Sequence, residues 1–244
     1  MVKSLKKVLE VDKIHESWKP FFTDDRLAQL EEIEKKIGLE FTPKKDKILR
    51  FASQDLYSKK VIWLGQDPYF QPDVANGRSF QPDNLQNWAE PFKQVSLKNI
   101  VRLVHASYHQ YKEYDQIKTY KEIVKEIETG EFPISQPKEW FDHVEAQGVL
   151  FLNTSFTCVV NEPNSHKNIW RPFAEELLTF ISNEMPHMIW FLWGKEAISN
   201  KMFIKNGVFY ESRHPMMCSS KYEDDFLKSQ CFLKTFDLID WLGR

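Results

Sequence analysis

Val61-Ile62-Trp63-Leu64, followed by Gly65-Gln66-Asp67-Pro68-Tyr69-Phe70, decides how this chain folds. Four large apolar residues in a row have the length of a strand buried on both faces, and a glycine and a proline within the next four positions end it. Three further runs repeat the pattern: Val149 to Leu152, Met188 to Leu192, and Val208 to Tyr210 with its continuation to Ser212. Between them lie stretches whose apolar residues recur at helical spacing, among them Leu27 to Ile37 and Ala174 to Ile181, with Pro172 where a first helical turn tolerates it. Tyr111 to Glu128 reads as one exposed helix, polar, laced with Lys and Glu and closed by Gly130. Strands alternating with helices imply an α/β protein with a central four-stranded parallel sheet flanked by helices. In such sheets ligands collect in the crevice at the carboxyl ends of the strands.

The 244 residues contain no linker-like stretch and no internal repeat, so a single domain spanning 1–244 is expected. A 42% hydrophobic share against 28% charged excludes a disordered chain, and most of the 8 Trp and 19 Phe belong to a core. The longest apolar run, Met188 to Trp193, is too short to cross a bilayer, and the Lys-rich amphipathic stretch Met1 to Asp12 lacks the apolar centre of a secretory signal. A soluble, cytoplasmic monomer is the expectation. Cys158, Cys218 and Cys231 are widely separated with no CxxC spacing, which argues against a disulfide framework and against a zinc site. The formal net charge of -2 does not announce a nucleic-acid binder, so any DNA-facing basic surface must be local. Lys93, Lys98, Arg102, Lys167, Lys195, Arg213 and Lys221 are its candidates.

The residues that follow the strands are the informative ones. After the first run come Gln66, Asp67 and Tyr69, then Ala75-Asn76-Gly77-Arg78-Ser79-Phe80; after the second, Asn153; after the third, Gly194-Lys195; after the fourth, Arg213-His214-Pro215-Met216-Met217-Cys218-Ser219. A carboxylate, an amide, an imidazole and two aromatics converging on one crevice suit the reading of a flat polar heterocycle. An Asp-Pro turn and an Asn cap are the plainer alternatives for two of them.

Gly65-Gln66-Asp67-Pro68-Tyr69 resembles the water-activating motif of the family 1 uracil-DNA glycosylases. The resemblance continues in that family's order through Ala75-Asn76-Gly77 with Phe80, Val95-Ser96-Leu97 with Asn99-Ile100, Gly148-Val149-Leu150 to Leu152-Asn153, Ser165-His166-Lys167 with Trp170, Trp193-Gly194, and His214-Pro215. It covers roughly Val61 to Ser219. One such motif is weak; seven in order are strong. The resemblance implies a uracil-DNA glycosylase fold and an enzyme that flips uracil out of single- or double-stranded DNA. The N-glycosidic bond is then hydrolysed with no metal or cofactor, leaving an abasic site. Cleaving that bond puts positive charge on the sugar and negative charge on the base. By resemblance, Asp67 orients the water and stabilises the sugar, and His214 donates to uracil O2. Asn153 reads the O4 and N3–H edge, Phe80 stacks on the base, Tyr69 walls off C5 against a thymine methyl, and the backbone of Gln66 completes the pocket. Ser96 and Ser219 match serines that pinch the DNA backbone. A proteinaceous glycosylase inhibitor is a possible partner.

Four departures from the family bear on DNA handling. Phe70 stands where the family usually has His. Met216-Met217-Cys218-Ser219 replaces a Ser-Pro-Leu-Ser loop, which puts Cys218 in place of the wedging leucine and makes Met217, long and adaptable, a candidate to take over the wedge. Lys195 replaces another pinching serine and offers the phosphate a charge instead. Pro91-Phe92-Lys93-Gln94 replaces a Pro-rich approach to Ser96. These changes spare the base-reading residues and imply altered affinity, or a preference for single strands, rather than altered base chemistry. A catalytically weakened homologue serving as a DNA- or protein-binding module is the alternative. A glycosylase for another modified pyrimidine is disfavoured by Tyr69 and Asn153. A phosphate-loop nucleotide binder is set aside because neither GxxxxGK[ST] nor GxGxxG occurs.

Overall fold

The computed structural model describes residues 14–244, so the amphipathic stretch Met1 to Asp12 lies outside the described residues. Six strands follow in chain order: β1 (Phe41–Thr42), β2 (Val61–Gly65), β3 (Val149–Asn153), β4 (Cys158–Val159), β5 (Ile189–Trp193) and β6 (Val208–Ser212). The four apolar runs form one parallel sheet in the order β3-β2-β5-β6, while β1 and β4 make a small antiparallel pair that the sequence reading did not contain. Among the described residues six α-helices surround them: α1 (Asp24–Ile37), α2 (Val95–Tyr108), α3 (Tyr120–Thr129), α4 (Pro137–Ala146), α5 (Lys167–Glu184) and α6 (Lys195–Ser199).

Side chains alternate across each strand, and the sheet therefore separates two cores. Ile62, Leu64, Leu150, Leu152, Trp190 and Leu192 face one, with Trp18, Phe51, Trp170 and Phe173 packed around them. Val61, Trp63, Val149, Phe151, Phe191 and Trp193 face the other, among Trp88, Trp140, Phe232 and Trp241. Burying each such side chain is worth about 1.5–3 kcal/mol, which is why these runs carry no polar residue until the strand ends. The edge strand β6 differs. Val208 is 50% exposed and Glu211 is also exposed, so the fourth run is half-buried rather than covered on both faces.

Two helix readings are corrected by the capping chemistry. Tyr111 to Glu128 is not one helix: α3 begins only at Tyr120, where the Thr119 hydroxyl accepts from Glu122 N–H and the Glu122 carboxylate accepts from Thr119 N–H, a reciprocal capping box. Residues 114–116 form a separate 3-10 turn, and Gly130, at φ +80°, ends the helix as expected. Pro172 lies inside α5 and not in its first turn, because the helix already starts at Lys167. Among the described residues no helix is long and apolar enough to cross a membrane.

Register fixes where function can sit. Gly65 pairs with Asn153 and Trp193 with Ser212, so the four strands end level with one another. The segments that leave them therefore open onto a common face.

Candidate active site

A cavity of about 390 Å³ opens at the carboxyl ends of the strands, and it gathers Gln66, Asp67, Tyr69, Phe80, Ser96, Asn153, Lys195 and His214 from six separate segments. Met217, Cys218 and Ser219 are not among its lining residues, although their neighbour Met216 is.

Asn153, the last residue of β3, is buried, and its Oδ1 has no hydrogen-bond partner among the described residues. Gly65 makes room for it: a Cβ there would lie 2.2 Å from Asn153 Oδ1 and 2.8 Å from the Ser79 Cβ. A buried acceptor without a partner costs about 1–3 kcal/mol, and a ligand that donates to it recovers that cost.

Phe80 holds φ +64°, a left-handed conformation that is strained for an aromatic residue. Its carbonyl accepts from the Tyr69 hydroxyl at 2.9 Å. The ring packs edge-on against Trp193 with centroids 5.4 Å apart and lies 6.3 Å from the His214 ring. Burial raises the Tyr69 pKa, so its hydroxyl remains a donor. Below this turn, Arg78 is buried and grips Glu145 through Nε at 2.8 Å and also through Nη2, while Nη1 reaches Gln81 Oε1 at 2.8 Å.

His214 is also placed by a glycine. Gly194 holds φ +91°, and a Cβ on it would meet the His214 Cβ at 2.9 Å. The Met216 N–H donates to His214 Nδ1 at 3.2 Å, and burial lowers the imidazole pKa below 6.5. The ring is thereby neutral, with its proton on Nε2.

Asp67 Oδ2 accepts from the Asn164 N–H at 2.8 Å. Burial raises the carboxyl pKa above 3.8, opposed by the backbone bonds from Asn164 and Asp67 itself and by the charge of Lys167. The Gln66 side chain donates to Asn164 Oδ1, and the Gln66 carbonyl accepts from Ser155 N–H at 2.8 Å. Behind this loop the Thr157 hydroxyl takes a bond from Trp170 Nε1 at 2.7 Å and shares one with His166 Nδ1 at 2.9 Å. Asn164, at φ +67°, and the buried Thr157–His166 brace had no stated role from the sequence. The neighbouring Ser165-His166-Lys167 segment with Trp170, which contains His166, was the signal at hand.

The rim carries the residues expected at DNA. Ser96 is half-buried in the first turn of α2, and Lys195 is exposed at the start of α6. In the loop after His214, Met216 and Met217 stand 57% and 58% exposed, whereas the Cys218 thiol turns inward to the Pro215 carbonyl at 3.2 Å. Burial, with the nearby Asp225, pushes that thiol up to about 12. Ser219 is held through its N–H by Asp225 Oδ2 at 2.6 Å. Of the basic candidates, Lys93, Lys195 and Lys221 are exposed. Lys98 sits over the Phe92 ring, Arg102 binds the Lys118 carbonyl, Lys167 pairs with Glu196, and Arg213 pairs with Asp224 and covers Tyr222.

The chain is 32% identical over 235 residues to the uracil-DNA glycosylase of Ureaplasma parvum serovar 3, an alignment covering 91% of this chain and 94% of the relative. The chain belongs to the uracil-DNA glycosylase family. A second such enzyme, from Francisella philomiragia, is 30% identical over 236 residues, covering 93% of this chain and 95% of its own. No protein-family model matches the chain. Among solved structures, the wild-type UNG of Nitratifractor salsuginis superposes with a TM-score of 0.70 over 96% of both chains at 20% identity. The mimivirus UNG Y322F in complex with UGI gives 0.62 over 87% of this chain and 74% of that one, at 21% identity. The α/β fold with its four-stranded parallel sheet is thus the fold of the uracil-DNA glycosylases.

Proposed function

We propose that this chain, acting as a single-domain monomer of the family 1 type, excises uracil from DNA. The observation that carries the reading is the convergence of Asp67, Tyr69, Phe80, Asn153 and His214 on one cavity whose buried acceptor, Asn153 Oδ1, has no partner of its own among the described residues. Uracil N3–H donates to that oxygen and the Asn153 amide donates to O4. Cytosine presents the reverse pattern, which leaves two buried polar groups unpaired.

The reaction breaks the bond between the base N1 and the sugar C1′, with the electron pair leaving on uracil. Negative charge then gathers at O2, where the neutral His214 offers its Nε2–H without having to give up a full charge. The Asp67 carboxylate, steadied by the Asn164 amide, faces the sugar, stabilises its oxocarbenium-like charge, orients the water whose oxygen bonds to C1′ and accepts the proton that water gives up. The Phe80 ring stacks on the extruded base and Tyr69 stands against C5.

At the rim of the pocket Ser96 and Lys195, and beyond it Ser219, take phosphates, and Met217 with Met216 fills the gap the base leaves. Exposure favours the two methionines over Cys218 for that wedge. A proteinaceous inhibitor is a proposed partner, given that the mimivirus enzyme is in complex with UGI. A cytoplasmic site of action fits three free cysteines.

The test is base release from matched single-stranded oligonucleotides carrying one uracil, one thymine or one cytosine, with Asp67→Asn as the blank. Release of uracil alone, lost in the blank, is the expected result. Tight binding without release from any of them would replace this reading by that of a binding module.

A further inference from the structure

At the far end of α2 from the cavity, His105, His109 and Glu126 bring their ligand atoms within 4.8 Å of one another. We propose that these three side chains form a binding site for a divalent transition-metal ion of the zinc class, clamping the carboxyl end of α2 to α3. Cysteine spacing, which argued against zinc, is blind to a site built from imidazoles and a carboxylate.

Local structure creates the arrangement. His109 follows α2 with helical backbone angles and bonds the His105 carbonyl through its N–H at 3.1 Å, so the two imidazoles stand one turn apart on the same face. Their ring centroids are 4.4 Å apart. Glu126 comes from α3 and places Oε2 2.7 Å from His105 Nε2. The His105 side chain is fully buried with Nε2 facing Glu126, so Nε2 is the ligand nitrogen, and Nδ1, which has no partner among the described residues, holds the ring proton when the ion is bound. Tyr111 stacks on His109 at 5.3 Å and Phe132 meets His105 edge-on at 4.9 Å, giving the cluster apolar walls.

Two nitrogens and one carboxylate oxygen, with water in the fourth position, match zinc and the neighbouring late transition ions rather than magnesium or calcium, which ask for six or more oxygens. Tetrahedral coordination at about 2.1 Å needs ligand atoms about 3.4 Å apart, so the widest pair has to close by about 1.4 Å. His109 is exposed, and its side chain supplies both that movement and the path of entry. Lys118 pairs with Glu126 Oε1 from the solvent side, its side chain 38% exposed, and it competes with the incoming cation for the carboxylate. Ser96 and His105 are nine residues apart in α2, about 13 Å along the axis, which places the cluster away from the reacting atoms.

The experiment is calorimetric titration of the tag-free full-length protein with zinc chloride, alongside thermal melting with and without zinc. One ion per chain and a rise in Tm are expected for the wild type. His109→Ala should weaken binding by at least about tenfold and abolish the Tm rise, with uracil release unchanged. Lys118→Met should tighten binding, an effect in the opposite direction that general loss of structure cannot produce. Absence of saturable binding, equal binding by wild type and His109→Ala, or weaker binding by Lys118→Met would each overturn the proposal.

Discussion

The Met216 backbone N–H lies 3.2 Å from His214 Nδ1, and this one bond sets the tautomer of the imidazole that faces the cavity. A nitrogen that accepts cannot carry the proton, so Nε2 holds it and serves as the donor. Burial lowers the His214 pKa, because the charged form loses more solvation than the neutral one. The sign follows directly: protonation would take Nδ1 away from Met216 and occurs only below the ordinary histidine value of 6.5. Uracil release should therefore be flat through neutral pH, with an acid limb in kcat/KM below pH 6.5. Activity that instead falls as pH rises through that value would mean that His214 works as an imidazolium.

Gly65→Ala should lower uracil release by about a hundredfold while leaving the sheet intact. The added methyl would lie 2.2 Å from Asn153 Oδ1, and of the two groups only the amide can move. A displacement of about 1 Å in a base-reading group costs about a hundredfold in rate. Steady-state release from a uracil oligonucleotide measures it, and wild-type rates in the variant would show that Asn153 does not read the base.

The sheet was legible because β2, β3 and β5 are covered on both faces and so carry unbroken apolar runs; β6, at the edge, is largely half-buried or exposed and reads less clearly. The site was legible for the same topological reason, since Asp67, Asn153 and His214 each follow a run. What escaped was whatever depends on side chains meeting across the chain. The Arg78–Glu145 grip joins residues 67 positions apart, and the Asn164 amide reaches Asp67 across 97. The start of α3 escaped for a local reason: the periodic pattern extends ahead of Thr119, and only the capping box stops it. Pro172 misled because proline marks a first turn more often than a helix interior.

Asp67→Asn should lower uracil release by about a thousandfold, more than any other single change at the cavity, because it removes the only carboxylate assigned to face the sugar. The melting temperature should hold or rise. Burial raises the Asp67 pKa above 3.8, so at neutral pH the ionised side chain is held against a desolvation penalty that asparagine does not pay. A lower Tm in this variant would reveal a structural role for the carboxylate.

Phe70→His tests the departure at the cavity rim, where Phe70 is half-buried and lines the opening. Restoring the imidazole should raise kcat several-fold on single-stranded uracil DNA. An unchanged or lower rate would mean that the Asn164 loop already performs what the imidazole does elsewhere in the family.

Arg78→Met should cost about 3–5 kcal/mol of stability, the usual consequence of stranding one member of a buried ion pair. Arg78 is 4% exposed and Glu145 9%, and removing the guanidinium leaves the carboxylate with Arg50, at 3.2 Å, as its ion-pair partner among the described residues. Burial by itself raises the Glu145 pKa, but the hydrogen bonds and charge of Arg78, helped by Arg50, outweigh it and hold the group below 4.5. That stabilisation is present above the unfolded-state value and disappears as pH falls through the folded one. The wild type should therefore lose Tm on acidification in a range where Arg78→Met, already without the pair, changes less. Because the same turn carries Phe80 in its left-handed conformation, the variant should also bind free uracil more weakly at temperatures where it remains folded. Unaltered uracil affinity in folded Arg78→Met would separate the ion pair from the placement of Phe80 and assign it to stability alone.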